Sequence, residues 1–179
     1  LPERRTGEAM TTRTPVEAWQ EMLAGNERFV NGTPSHPRQN VERRTEVAPA
    51  QYPDVALFGC SDSRLAAEII FDKGLGDLFV VRNAGQVISD SAIASLEYAV
   101  AVLDVPLIIV LAHDACGAVQ AAIDLDSPDS APLPPHIAGH SASTRPAVCL
   151  PASRDPDEVG QVPLEQTVQA LVEPIELFS

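Results

Sequence analysis

Apolar positions along the chain follow two patterns. Thr14, Pro15 and Glu17 supply a cap, a first-turn proline and a carboxylate that reaches back, and Trp19, Met22, Leu23, Asn26, Phe29 and Val30 then recur at helical spacing. This predicts a first helix that ends at Gly32. Thr33 to Pro53 mixes proline, arginine and polar residues without a period and is expected to run over the surface as a loop. From Asp54 the pattern changes. Val55 to Gly59, Leu78 to Val81 and Leu107 to Leu111 are short apolar runs without polar alternation, as strands buried on both faces require. Helical stretches are expected after each, at Leu65 to Phe71, Ser91 to Leu103 and Gly117 to Ile123. Alternation of buried strand with helix predicts an α/β fold whose central, mainly parallel sheet is flanked by helices, with an amino-terminal helical arm.

Past Asp124 the character shifts again. Residues 127 to 163 hold eight of the sixteen prolines, so an irregular, mobile stretch is expected there. Leu164 to Val172 reads as a short helix ended by Pro174, and no further strand is visible before Ser179. The resulting division is an extension over residues 1–13, expected to be disordered, an α/β domain over 14–125, and a Pro-rich region over 126–179.

Composition narrows the function. At 179 residues with 45% hydrophobic content, one domain with a single core is the expectation. A formal charge of −13 argues against attraction to nucleic-acid phosphates or an anionic membrane, leaving small molecules or protein as partners. No apolar stretch reaches the roughly 18–20 residues of a membrane span, and residues 1–30 lack a signal-peptide pattern, so a cytoplasmic location is expected. Three cysteines cannot all pair within one chain, and in a reducing compartment they read as ligands or buried fillers.

In open parallel sheets, ligands collect at the carboxyl ends of strands. Two motifs sit there: Cys60-Ser61-Asp62-Ser63-Arg64 after the first apolar run, and His113-Asp114-Ala115-Cys116-Gly117 after the third. If these ends converge, Cys60, His113 and Cys116 offer three soft or borderline ligands, suited to zinc rather than calcium, magnesium or manganese. Three ligands leave a fourth position open, the mark of a catalytic site. Rival readings are a buried filler cysteine, a histidine capping a backbone carbonyl, a Cys60 to Cys116 disulfide, and a surface ion pair for Asp62 and Arg64. Gly74, Gly76 and Gly85 form no dinucleotide fingerprint, and the pattern of a zinc deaminase is absent. His36, His136, His140 and Cys149 lie in polar or Pro-rich loops and receive no role.

The pairing of Cys60-x-Asp62-x-Arg64 with His113-x-x-Cys116-Gly117 resembles the signature of the β-class carbonic anhydrases. Further likeness lies in Gly25 to Phe29, in Val81-Arg82-Asn83-Ala84-Gly85 and in Glu97 to Val100, so the resemblance covers roughly Thr14 to Ile123. It implies one Zn2+ per chain on Cys60, His113 and Cys116, and a catalytic dyad of Asp62 and Arg64. It also implies a substrate pocket with Gln51, Phe79, Tyr98 and Gly117, in which Gln51 donates a hydrogen bond to substrate and a neighbouring subunit completes the cavity. Carbon dioxide and bicarbonate would be the small-molecule partners, and a homodimer or higher homo-oligomer the assembly. In such proteins the aspartate can also close on the zinc when its arginine lets go. From Ser141 onward the resemblance stops, and the last sheet-edge strand of such proteins is not legible.

Zinc lowers the pKa of water towards about 7, but two thiolates and a neutral histidine cancel the ion's charge, so an operating optimum above neutral is expected. The favoured activity is reversible hydration of carbon dioxide. Two alternatives remain open: hydrolysis of carbonyl sulfide or carbon disulfide on the same site, and a non-catalytic zinc-binding interaction protein.

Overall fold

A computed structural model describes residues 13–125, 127 and 132–140. In chain order these form α1 (Pro15–Val30), α2 (Val41–Val47), β1 (Val55–Cys60), α3 (Ala67–Ile70), β2 (Leu78–Asn83), a 3-10 turn (Ala84–Gln86), α4 (Asp90–Ala101), β3 (Leu107–Leu111) and α5 (Gly117–Asp124), and residues 135–140 add a further helical segment. No helix among the described residues is long and apolar enough to cross a membrane.

The three strands form one parallel sheet in the order β2-β1-β3. All of β1 is buried, which explains its unbroken apolar run, whereas the flanking strands are partly exposed. Residues of α1 and α3, including Trp19, Met22 and Ile70, pack with Leu57, Leu107 and Ile109 in one cluster. Ala99 of α4 joins Ala56 and Val105 in a second. Helices thus supply both layers, as expected of the alternating pattern.

The capping box read at Thr14 is formed: its Oγ1 accepts from the Glu17 N–H at 3.2 Å, and Glu17 Oε2 accepts from the Thr14 N–H at 2.8 Å. Two expectations need correction. First, α2 lies inside the segment read as loop. Asn40 caps it by accepting from the Arg43 N–H, and Arg43 Nε donates to the Leu75 carbonyl, yet none of its residues is buried. A helix without an apolar face has no hydrophobic period to detect. Second, residues 135–140 are helical despite the prolines read as breakers there; Pro135 occupies the first turn, where its missing N–H costs nothing. The helix expected at residues 164–172 lies outside the described residues.

Polar clamps fasten α1 and the segment after it to the turn that feeds β2. Asp72, with its side chain 1% exposed, accepts from Arg28 Nε, from the Ser35 N–H and hydroxyl, and from the His36 N–H. Burial pushes its carboxyl up, but these donors outweigh it and hold the group well below the usual carboxylate range. Arg38 forks onto Asp77 with contacts of 2.7 Å and 2.9 Å from Nε and 2.7 Å from Nη2. Arg13 spans Glu21 and Asp54 at 2.9 Å and 2.8 Å. Gly25 permits the closest approach, since a Cβ there would lie 1.9 Å from the Phe71 carbonyl oxygen.

Two stability outcomes are expected. Asp72→Ala should cost roughly 1–3 kcal/mol by urea unfolding at neutral pH, because it removes the charge-assisted bonds that a buried carboxylate accepts from Arg28, Ser35 and His36. Since Asp72 is depressed in the folded state, its stabilisation is present above about pH 4 and lost as pH falls below that, so the variant and parent should converge in acid. Gly25→Ala should lower stability by roughly 1–3 kcal/mol through the backbone clash with Phe71.

Candidate metal centre

Register sets the location. Cys60 at the end of β1 pairs with Asn83 at the end of β2, and Gly59 pairs with Leu111 at the end of β3, so the three strands finish at one level. The loops that follow carry both motifs. Cys60, His113 and Cys116 each offer a ligand atom, and these atoms lie within 4.8 Å of one another.

The sulfurs of Cys60 and Cys116 are 3.8 Å apart and both thiols are free. A disulfide needs about 2.05 Å, so the bridged reading does not describe this structure. Two sulfurs at about 2.3 Å from one tetrahedral zinc would be about 3.8 Å apart, the spacing found. His113 shows how the carbonyl-capping and ligand readings coexist on one ring. Its Nδ1 lies 2.8 Å from the Asp114 carbonyl, which can only accept, so Nδ1 carries the proton. In the neutral ring Nε2 therefore presents a lone pair, and it is buried without a hydrogen-bond partner among the described residues. An orphaned buried acceptor facing two thiols fits a soft or borderline cation.

Electrostatics favour the thiolate at Cys60. Burial opposes ionisation, but donors led by the Gly85 N–H, with the Asp62 N–H and Cys116 behind it, lower the thiol below its usual range. The Gly85 N–H reaches Sγ at 3.2 Å and the Asp62 N–H at 3.4 Å. Gly85 takes φ 75°, a conformation that favours glycine, which turns the chain under the sulfur. Ala115, between His113 and Cys116, also has positive φ at 53°, and its carbonyl accepts from Arg64 Nη2 at 3.2 Å.

Asp62 and Arg64 form more than a surface pair. Asp62 Oδ1 accepts from the backbone N–H and Nε of Arg64, both at 2.9 Å, and Oδ2 accepts from Nη2 at 2.8 Å. The guanidinium, followed by the Arg64 backbone N–H, holds the carboxyl well below its usual range. Because the same guanidinium also reaches Ala115, it straps the two loops together. Asp62 is turned to Arg64 here and stands apart from the Cys60, His113 and Cys116 group.

Of the expected pocket residues, Gly117 adjoins the ligand group within one chain, whereas Gln51, Phe79 and Tyr98 do not. Gln51 is exposed and precedes β1, so it lies beyond the strand end opposite Cys60. Phe79 pairs with Ala56, four residues down the strand from the Cys60 level, or about 13 Å. Its ring stacks obliquely on half-exposed Tyr98 of α4, with centroids 6.2 Å apart. Gly117 opens α5 beside Cys116, with nothing within 4 Å of a Cβ built on it. Four participants went unassigned in the sequence. Arg82 donates to the Cys60 and Asp62 carbonyls, Asn83 closes the following turn by exchanging two 2.7 Å bonds with Val87, Gly85 reaches the Cys60 sulfur, and His140 Nε2 meets the Ala84 carbonyl. For Arg82, Asn83 and Gly85 the signal in the sequence is their position at the end of a buried apolar run.

The family model described as Carbonic anhydrase matches residues 55–176. That match continues past Ser141, where the resemblance read from the sequence stopped. Among curated proteins, the chain is 59% identical over 114 residues to "Carbonic anhydrase 2" of Mycobacterium tuberculosis, covering 64% of this chain and 55% of that protein. It is 57% identical over 114 residues to "Carbonic anhydrase" of Mycolicibacterium smegmatis, again covering 64% and 55%. The chain thus spans about half the length of these relatives. Among solved structures it is similar to the β-carbonic anhydrase CcaA, with TM-score 0.53, 30% identity and coverage of 72% of this chain and 63% of that one. A tetrameric β-carbonic anhydrase of Sordaria macrospora gives TM-score 0.53 and 27% identity, covering 73% and 64%. With a family match over most of its length and the same fold, the chain belongs to the β-class carbonic anhydrases.

Proposed function

We propose that this protein catalyses the reversible hydration of carbon dioxide to bicarbonate and a proton, with one zinc ion held by Cys60, His113 and Cys116. The observation that carries the proposal is the buried lone pair of His113 Nε2 facing two thiols, beside an Asp62 carboxylate clamped by Arg64. When bound, zinc supplies a Lewis acid that makes hydroxide available near neutral pH.

The protein's own groups supply the rest. Asp62 stays ionised throughout the working range, since Arg64 depresses it, and its remaining Oδ2 lone pair accepts a hydrogen bond from the attacking oxygen and orients that oxygen towards the carbon. Arg64 keeps the carboxylate from turning to the metal, so release of Arg64 is the step that would let Asp62 close the site. The product carbon gains one oxygen and the proton leaves to solvent, so the atoms balance without another reactant.

Gln51, Phe79 and Tyr98 are assigned to substrate binding through assembly, and Gly117 to substrate binding beside the ligand group of its own chain. Since Gln51 and the Phe79–Tyr98 pair lie away from the ligand group of their own chain, they serve the site of a neighbouring copy in a homodimer or higher homo-oligomer. The tetrameric Sordaria macrospora relative supports this reading. We assign the protein to the cytoplasm, in keeping with free thiols at Cys60 and Cys116, which a reducing compartment preserves.

Stopped-flow hydration on metal-quantified protein tests the activity. Turnover should rise from about pH 6.5 to 9, be lost in Cys60→Ser together with the zinc, and fall roughly 100-fold in Asp62→Asn. Zinc bound near one per chain with no hydration across that range would overturn the enzyme reading. In the metal-free protein, alkylation of Cys60 followed by peptide mass should titrate with a midpoint below that of an ordinary thiol, about 8.5. A midpoint at or above the ordinary value would remove the electrostatic case for a ready thiolate.

A further inference from the structure

Arg82 leaves β2 opposite Gly59, at the level where β1 gives way to the Cys60 to Arg64 loop. The ladder makes one last bond there, from the Ser61 N–H to the Asn83 carbonyl at 2.9 Å. Arg82 grips the carbonyls on either side of that bond: Nε donates to Cys60 O at 2.9 Å and Nη2 donates to Asp62 O at 2.7 Å. The guanidinium plane therefore fixes the 60–61 and 62–63 peptide groups, which bracket the 61–62 peptide, and with them the relative placement of the Cys60 thiol and the Asp62 carboxylate.

We propose that Arg82 is a positioning residue of the metal centre, acting through these two carbonyls rather than on substrate. The proposal rests on the zinc reading above. Asp62 is then held at both ends, its carboxylate by Arg64 and its carbonyl by Arg82. The remaining contacts explain why the second grip is needed. Asp62 O also accepts from the Leu65 N–H at 3.0 Å, and the Asp62 N–H points at the Cys60 sulfur at 3.4 Å. A small rotation of the 61–62 peptide would move that N–H off the sulfur and swing the carboxylate. A rigid fork with two donors in one plane holds both carbonyls in a fixed relation, whereas a lysine offers a point charge on a flexible stem. Arg82 is itself exposed and contributes nothing to either core cluster, so its removal leaves the sheet intact.

The test uses the full chain, apo and loaded with zinc or Co(II), comparing Arg82→Met and Arg82→Lys with the parent. Expected for Arg82→Met are a thermal midpoint close to the parent's, zinc affinity by chelator competition lower by about 10–100-fold, and a changed Co(II)-thiolate absorption band. In hydration, kcat should fall with little change in KM, and Arg82→Lys should recover part of each loss. Parental zinc affinity, Co(II) spectrum and kcat in Arg82→Met would overturn the proposal. So would losses that track a lowered thermal midpoint and vanish on cooling, since these mark a merely structural role. If Arg82→Met fails to fold, Arg82→Lys decides, and full parental behaviour overturns the assignment. Metal affinity and the Co(II) band are read without turnover, so a parent that does not hydrate carbon dioxide would sink the proposed function while leaving the role of Arg82 decided on its own evidence.

Discussion

The parallel register that seats β1 between β2 and β3 is the constraint on which the metal centre depends. Because all three strands end at one level, the loops after Cys60, Asn83 and Leu111 must share a small volume, and side chains more than fifty residues apart in sequence come within ligand distance. The register is in turn imposed by burial: a one-residue slip of β1 would exchange the faces of Leu57 and Phe58 and break both core clusters. The helices and polar clamps at the far end of the sheet, around Asp72 and Asp77, hold the amino-terminal arm against that framework.

Gathering two thiols and an imidazole in a partly buried place is unfavourable unless each is satisfied. The chain meets this with backbone donors. Gly85 and Asp62 turn their N–H groups to the Cys60 sulfur, and the Asp114 carbonyl fixes the His113 tautomer, leaving one nitrogen free for a cation. Guanidinium groups manage the rest. Arg64 spans Asp62 and the Ala115 carbonyl, and so couples the orientation of the acid to the loop that bears His113 and Cys116.

Much of this arrangement was legible in the sequence because it is written contiguously. Buried parallel strands announce themselves as apolar runs, and the groups that converge stand directly after two of them. Other features carry no such mark. The helix Val41–Val47 buries nothing and so has no apolar period, and the helical segment at 135–140 starts on a proline that elsewhere breaks helices. Arg82 acts on backbone carbonyls, which every residue possesses, so no partner residue type betrays it. Gln51, Phe79 and Tyr98 lie away from the ligand group in one chain, and their place in a site is a question of assembly that single-chain patterns do not answer. The family match to residue 176 reaches beyond the point where the sequence ceased to be readable by its motifs.

Zinc K-edge X-ray absorption on the zinc-loaded protein tests the central claim most directly, because it reads the ligand set without relying on turnover. Expected is a four-coordinate ion with two sulfurs at about 2.3 Å and one imidazole nitrogen at about 2.0–2.1 Å, the last position filled by a lighter atom. A shell without sulfur, or with a single sulfur, would contradict the convergence of Cys60 and Cys116 on one metal.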